Sequence, residues 1–366
     1  MAFPAAGGNV GGMDGGGAPP TAPRGLVFAP MTEPRIAPGE TLVLTRHDVR
    51  ELLDMDACIA ALEAAFEADA AGETLPAGVL GTHVEGGGFH TKTAGLLRGR
   101  ARFVAKVNAN FPGNPARHGL PTIQGVVSLH DAVNGRLLAL LDSMEITLIR
   151  TAAATAVAAK HLAREDAGVV TIAGCGTQGR SQLLALTRVR PIARAFAWDV
   201  DPAAAERYAA EMTETLEIDV AVAHDLRDAA VASDVVITCT PSRSPLLGRD
   251  DVAPGCFVAA VGADSEQKQE IAPELMARAT VVVDVLEQCA RIGDLHHALA
   301  AGMMQRSDVH AELAQVVAGR RPGRRSRDEV TIFDSTGTAL QDVATATLAY
   351  ERALERGRGT EVRLGA

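Results

Sequence analysis

Gly174-Cys175-Gly176-Thr177-Gln178-Gly179 is a complete GxGxxG set between an apolar run, VVTIAG, and a stretch with helical spacing. In that context the first glycine permits a tight turn, the second lets backbone approach a pyrophosphate, and the third lets helix and strand pack closely. The helix start then offers free N–H groups and positive dipole to phosphate. Gly174, Gly176, Thr177, Gln178 and Gly179 are therefore expected to cradle a dinucleotide. The next strand-like run, ARAFAW, leads to Asp199. A carboxylate there can accept from the adenosine ribose hydroxyls and would repel a 2′-phosphate, so NAD is expected over NADP. The competing reading is a glycine turn in an unrelated α/β domain, with Asp199 capping the next helix. Two further strand ends carry polar groups. Thr240-Pro241-Ser242 brings hydroxyls that could line the nicotinamide side, and Asp264 brings a carboxylate placed for acid–base work, or for capping a helix.

Cations stand in unusual places in the first half. Lys106 interrupts the apolar run ARFVAKVNA, and Arg150 sits inside the alanine-rich ITLIRTAAATAVAA. Lys and Arg are rarely buried without a partner. A substrate carboxylate would satisfy both, Arg in bidentate fashion, and a structural ion pair or an exposed strand face would also account for them. Asp294-Leu295-His296-His297 places histidines side by side rather than at metal-ligand spacing, so no metal is expected; Asp294 reads as a helix cap.

The elements around these residues change rhythm twice. Residues 1–37 are rich in Gly, Pro and Ala and are expected to be a disordered tail. TLVLT reads as a strand and residues 47–70 as helical, with Asp56 capping the second half. From 79 to 140, short strands broken by Gly and Pro suggest antiparallel hairpins, with Asn134-Gly135 as a turn of positive φ. After the helical stretch 146–162, apolar β-branched runs alternate with amphipathic helices. That pattern specifies an α/β, Rossmann-type doubly wound parallel sheet beside an α+β domain. The expected division is 38–147 with 330–366 for the α+β domain and 148–329 for the dinucleotide domain.

Composition narrows the function. Aromatic residues are 3% of the chain and the net charge is −10, which argues against stacked or phosphate-paired nucleic acid. Cys58, Cys175, Cys239, Cys256 and Cys289 are dispersed, as reduced thiols would be. No apolar run is long enough to span a bilayer and no signal-peptide pattern is present, so a cytoplasmic location with no membrane partner is expected.

The ordered segments KVNANFPGN, HGLPTIQGVVSL, IRTAAATAVAAKHLAR, IAGCGTQGRSQL, TCTPSRSP, VGADSEQKQE, VVVDVLEQC and EVTIFDSTGTALQDVA resemble the ornithine cyclodeaminase/μ-crystallin family. That family includes archaeal-type alanine dehydrogenases and imino-acid reductases. The resemblance implies a homodimer whose α+β domain is the substrate-binding and dimerisation domain, and an NAD(H)-using enzyme acting on a small amino or imino acid. It implies that Lys106 and Arg150 hold the substrate carboxylate, Lys106 also taking part in catalysis, and that Asp264 serves the amine or an attacking water. Thr122, Gly262, Lys268 and Ser335 would lie on the cofactor side. One departure is the stretch Leu75-Pro76-Ala77-Gly78-Val79, which lacks the family's basic residue; His90 and Lys92 are expected to supply the substrate-binding cation instead. The expected function is an amino-acid dehydrogenase or imine reductase. A redox-neutral cyclodeaminase converting ornithine to proline and ammonia is the alternative, and a non-enzymatic crystallin-like ligand binder a second.

Overall fold

The computed structural model describes residues 39–364. The Gly/Pro/Ala-rich 1–37 lies outside the described residues. β1 (Glu40–Leu44) leads into α1 (Arg46–Leu52) and α2 (Met55–Ala70). Thr45 and Asp48 cap α1 reciprocally. Asp54, not Asp56, caps α2, its carboxylate accepting the Ala57 N–H at 2.8 Å. The helical spacing runs through the break because Leu52 and Met55 are both buried on one side.

β2 (Thr74–Val84), β3 (Gly87–Leu96), β4 (Arg102–Asn110), the short α3 (Asn114–His118), β5 (Ile123–Asp131) and β6 (Leu137–Asp142) follow. The five strands form an antiparallel run, as the spacing of breaks predicts. In the β5–β6 turn only Gly135 takes a positive φ, +78°; Asn134 does not. β1 adds parallel to β6, and β17 (Thr360–Arg363) adds antiparallel to β1, giving the order β17-β1-β6-β5-β4-β3-β2.

α4 (Ser143–Leu162) starts at once, capped by the Asp142 carboxylate, which accepts from Met144 and Glu145 N–H at 3.0 Å. Its middle, Ala152 to Ala159, is wholly buried, and alanines let it lie close to α2 and α5 at the same time. The second sheet comprises β7 (Val169–Ala173), α5 (Thr177–Thr187), β8 (Arg194–Trp198), α6 (Pro202–Leu216), β9 (Asp219–Val222), α7 (Leu226–Val231) and β10 (Val235–Thr238). β11 (Arg243–Leu247) pairs with β13 (Gln269–Ile271) in a small separate sheet flanking β12 (Phe257–Ala260) in sequence. Then come α8 (Pro273–Arg278), β14 (Thr280–Val283), α9 (Leu286–Ile292), α10 (Asp294–Ala300), β15 (Ala311–Glu312), α11 (Leu313–Val317), β16 (Thr331–Asp334) and α12 (Ala339–Arg356).

All eight strands of this sheet are parallel, in the order β15-β14-β16-β12-β10-β7-β8-β9. Both faces are covered. Val235 and Ile237 enter one apolar cluster and Val236, between them, enters the other. That is why these strands read as continuous apolar runs. β16 lies inside this sheet, between β12 and β14, so 330–334 does not go with the substrate domain as the sequence division had it. The chain returns to the first sheet only with α12, which packs on β3, β4 and β5.

Among the described residues no helix covers the other face of the first sheet. Leu80, Phe89, Val107 and Val126 are exposed there, with Val107 and Val126 directly opposite one another. No helix among the described residues is long and apolar enough to cross a membrane.

Candidate functional site

The strand order reverses direction at β7, between β8 and β10, and a crevice at the carboxyl ends of such strands is where an α/β sheet binds ligand. The glycine loop fits that use. Gly174 has φ +107°, and a Cβ on it would lie 2.9 Å from the Cys239 carbonyl oxygen. A Cβ on Gly179 would lie 2.3 Å from the Gly174 oxygen, so α5 can pack here only with glycine. Gly176, in contrast, caps α5 with no side chain over it, and a Cβ there would meet nothing within 4 Å. Two glycines are needed by the protein itself; the third opens outward. The Gln178 Nε2 is buried without a partner among the described residues, a donor left for something else. Arg180 braces the loop, donating to the Cys175 and Gly176 carbonyls while pairing with Glu211.

Asp199 follows β8 and is half-buried. Its Oδ2 accepts the Cys175 N–H at 2.8 Å, so the carboxylate is tied directly to the glycine loop. Asp201, not Asp199, caps α6. The residues present therefore fit a dinucleotide: an open glycine at a helix start, an unpartnered amide and an acid at the second strand end.

The hydroxyls after β10 have partners close by. Thr240 Oγ1 donates to Glu270 Oε1 at 2.7 Å, and Ser242 Oγ donates to the Ser244 carbonyl. Pro241 between them is exposed.

Asp264 stands beyond β12 as an exposed carboxylate, not as a helix cap. Lys268 Nζ lies 2.7 Å from its Oδ1, and the Lys268 carbonyl is held by His297. Asp294 is not a cap either. It is the first residue of α10, fully buried, and its Oδ1 accepts the Glu270 and Ile271 N–H groups at 2.8 Å. Among the described residues no group of three or more His, Cys, Asp or Glu could hold a metal.

The substrate-side cations converge. Lys92 and Lys106 stand directly opposite each other across β3 and β4, on the face covered by α12. Like charges so placed repel. The first turn of α12 brings the counter-charge: Asp342, fully buried, pairs with Lys106 Nζ and Arg150 Nε, both at 2.7 Å. Arg150 also donates to Gln341 Oε1 and lies against Gly337, where a Cβ would be 2.7 Å from its Nη1. Lys92 Nζ donates to the Thr336 and Gly337 carbonyls at 3.2 and 2.8 Å. That loop, Ser335-Thr336-Gly337, is fixed from below by Asp284, whose Oδ2 accepts the Gly337 N–H at 2.7 Å. Ser335 is itself buried, and its hydroxyl lies 3.4 Å from Asp284.

The electrostatics follow from burial. Burial pushes the Lys106 ammonium down to about 7; Asp342 opposes this, while Arg150 and Lys92 add to it. Burial, then Arg150, also lowers Lys92. Burial alone would raise Asp342, but Lys106 and Arg150 hold it below its ordinary value. Burial lowers His90, and the Asp264 charge works against that, so Asp264 and His90 share one electrostatic neighbourhood. Thr122 immediately precedes β5, where its carbonyl accepts the Phe111 N–H.

Sequence reading missed Asp342, Asp284 and Glu270. Asp342 had a signal: it falls on one helical stripe with Ala346, Ala349 and Ala353, all buried. Asp284 directly follows β14 and Glu270 is the middle residue of the three-residue β13, and neither position has a periodic signature.

Residues 39–357 match the Ornithine cyclodeaminase/mu-crystallin family. The alanine dehydrogenase of Archaeoglobus fulgidus is 39% identical over 326 residues, 88% of this chain and 98% of the relative. An archaeal alanine dehydrogenase dimer with bound NAD superposes with a TM-score of 0.85 at 38% identity, covering 89% of this chain and 100% of the other. The Delta(1)-pyrroline-2-carboxylate reductase of Thermococcus litoralis, in complex with NADH and L-proline, superposes with a TM-score of 0.84 at 33% identity, covering 88% and 100%.

Proposed function

The chain belongs to the ornithine cyclodeaminase/mu-crystallin family, and from that premise we propose that it is an NAD(H)-dependent enzyme working at the α-carbon of a small L-amino acid or its imine. The observation that carries the reading is the cluster of three cations, half-buried Lys92 with buried Lys106 and Arg150, around one buried carboxylate, Asp342. The cluster has positive charge to spare, and a substrate carboxylate is the anion it suits.

Bound NAD(H) supplies the hydride acceptor or donor. The chain's own residues do the rest. Asp342 takes one side of both Lys106 and Arg150, leaving their remaining N–H groups for the substrate carboxylate. Lys92 is a strap as much as a ligand, since two carbonyls of the Ser335–Gly337 loop already engage it. Asp264, exposed at the end of the cofactor sheet and held by Lys268, moves a proton to or from the substrate nitrogen or a water. Asp199 supports NAD over NADP, with no Arg directly after it. Thr122, His90 and Gly262 line the space between the two sheets.

We assign the first sheet with α1–α4 and α12 to substrate binding, and the parallel sheet, β16 included, to the cofactor. The helix-free face of the first sheet, with Leu80, Phe89, Val107 and Val126 exposed, supports a homodimer paired through it. The five unpaired cysteines support a reducing, cytoplasmic location.

The test is absorbance at 340 nm with NAD and a panel of L-amino acids, and with NADH and 2-oxo acids plus amines. Net NADH turnover supports the reading and names the substrate. Ammonia release from ornithine without net NADH change would replace it with a cyclodeaminase. NADH binding without either would replace it with a ligand-binding protein.

A further inference from the structure

Glu270 is a fully buried carboxylate with no cation paired to it among the described residues. Its Oε1 accepts from the Thr240 N–H at 2.6 Å and the Thr240 hydroxyl at 2.7 Å. Its Oε2 accepts from the Gly262 N–H at 2.7 Å and the Thr238 hydroxyl at 2.8 Å. Four donors from two strand ends thus converge on one side chain. Gly262 is part of the fit, since a Cβ there would lie 2.6 Å from the Glu270 carboxyl and 2.3 Å from the Thr240 oxygen. Glu270 is fixed in turn. Its N–H is held by Asp294, whose own N–H is held by Asp334, the residue before the Ser335–Gly337 loop. A chain of three buried carboxylates therefore joins the loop that straps Lys92 to the ends of β10 and β12.

We propose that Glu270 is a positioning residue for hydride transfer: it clamps the ends of β10 and β12 together and thereby sets where Asp264, two residues after Gly262, stands relative to the cofactor crevice. A carboxylate is needed because both oxygens must accept. Glutamine would turn an NH2 toward a backbone N–H on one side and force that strand end away. The inference rests on the function proposed above, and its failure is separable from failure of that function, which wild-type turnover alone decides.

The experiment compares wild type with Glu270→Gln, using the substrate found in the 340 nm panel. Trp198, the single tryptophan, ends β8 beside Asp199 and reports NADH binding by fluorescence. The expected result is near-unchanged NADH affinity, a kcat per folded, cofactor-binding site lowered about 10- to 100-fold with a smaller change in KM, and a larger primary isotope effect from 4-deuterated NADH. Wild-type kcat and isotope effect in the folded variant, whatever its melting temperature, would overturn the proposal. If Glu270→Gln does not fold, Thr238→Val, which removes one of the four donors, carries the same readouts. A lowered kcat with a raised isotope effect supports the clamp, and unchanged values overturn it.

Discussion

Lys106 sits at about 7 because burial strips water from an ammonium that already faces Lys92 and Arg150, and the Asp342 carboxylate paired with it offsets this only in part. The pH dependence follows. In the imine-reducing direction kcat/KM should fall as pH rises through about 7, when Lys106 loses its proton and the substrate carboxylate loses one of its three cations. Asp342→Asn removes the opposing anion, so this basic limb should move to lower pH. A pH profile of kcat/KM, which reads the free enzyme, checks both statements, and a limb that stays put in Asp342→Asn would remove Lys106 from the binding role. The same group shapes stability. Between about 7 and 10.5 the unfolded chain keeps a proton that the folded Lys106 has lost, so this group alone makes stability rise with pH across that window, and its cost is fully present below it. Asp264→Asn should lower kcat by about 100-fold or more while leaving NADH binding in place, measured by turnover and by Trp198 fluorescence. Lys106 and Arg150 were legible in the sequence because a charge in an apolar run is conspicuous. Asp342 was passed over although its place on the buried stripe of α12 marks it, because the partners that explain its charge lie far away in sequence, on β4 and α4.

At the scale of elements, the glycine loop separates what the fold needs from what a ligand needs. Gly179→Ala should destabilise the protein by about 1–3 kcal/mol, because its Cβ would overlap the Gly174 carbonyl. Gly176→Ala should melt like wild type yet bind NADH much more weakly, because its Cβ would fill space that only a ligand would share. Thermal melts beside fluorescence titrations test the pair; a Gly176→Ala protein that binds NADH normally would show that the pyrophosphate lies elsewhere. The loop was readable because strand, turn and helix are contiguous in sequence. The partners of the Thr240 and Ser242 hydroxyls, Glu270 and the Ser244 carbonyl, were not readable, because they depend on how a short loop folds back. The cap of α2 was misplaced by two residues for a similar reason: Asp54 and Asp56 are equivalent in type, and only the backbone at the break chooses between them.

At the scale of the whole molecule, the helix-free face of the first sheet makes the assembly testable. Light scattering should give twice the chain mass for wild type and the single chain mass for Val107→Lys, which places a charge opposite Val126 at the middle of that face. A dimer that survives the substitution would move the interface elsewhere. The central strands of both sheets were legible, the hairpins by their turns and the parallel strands by apolar runs, but the short edge strands β9, β15 and β17 were not. The sheet joined by TIFD was not, because pairing partners are not written in a strand's own residues.

That placement of β16 has a consequence for how the protein is made. β7 begins at Val169, but the slot between β12 and β14 is filled only by Thr331–Asp334. Until those residues leave the ribosome, the nascent chain holds two parallel strands with facing, unpaired backbone edges and the apolar side chains of a sheet meant to be closed. Synthesis therefore passes through an interval in which two strand edges stand open, the condition in which association between chains competes with folding.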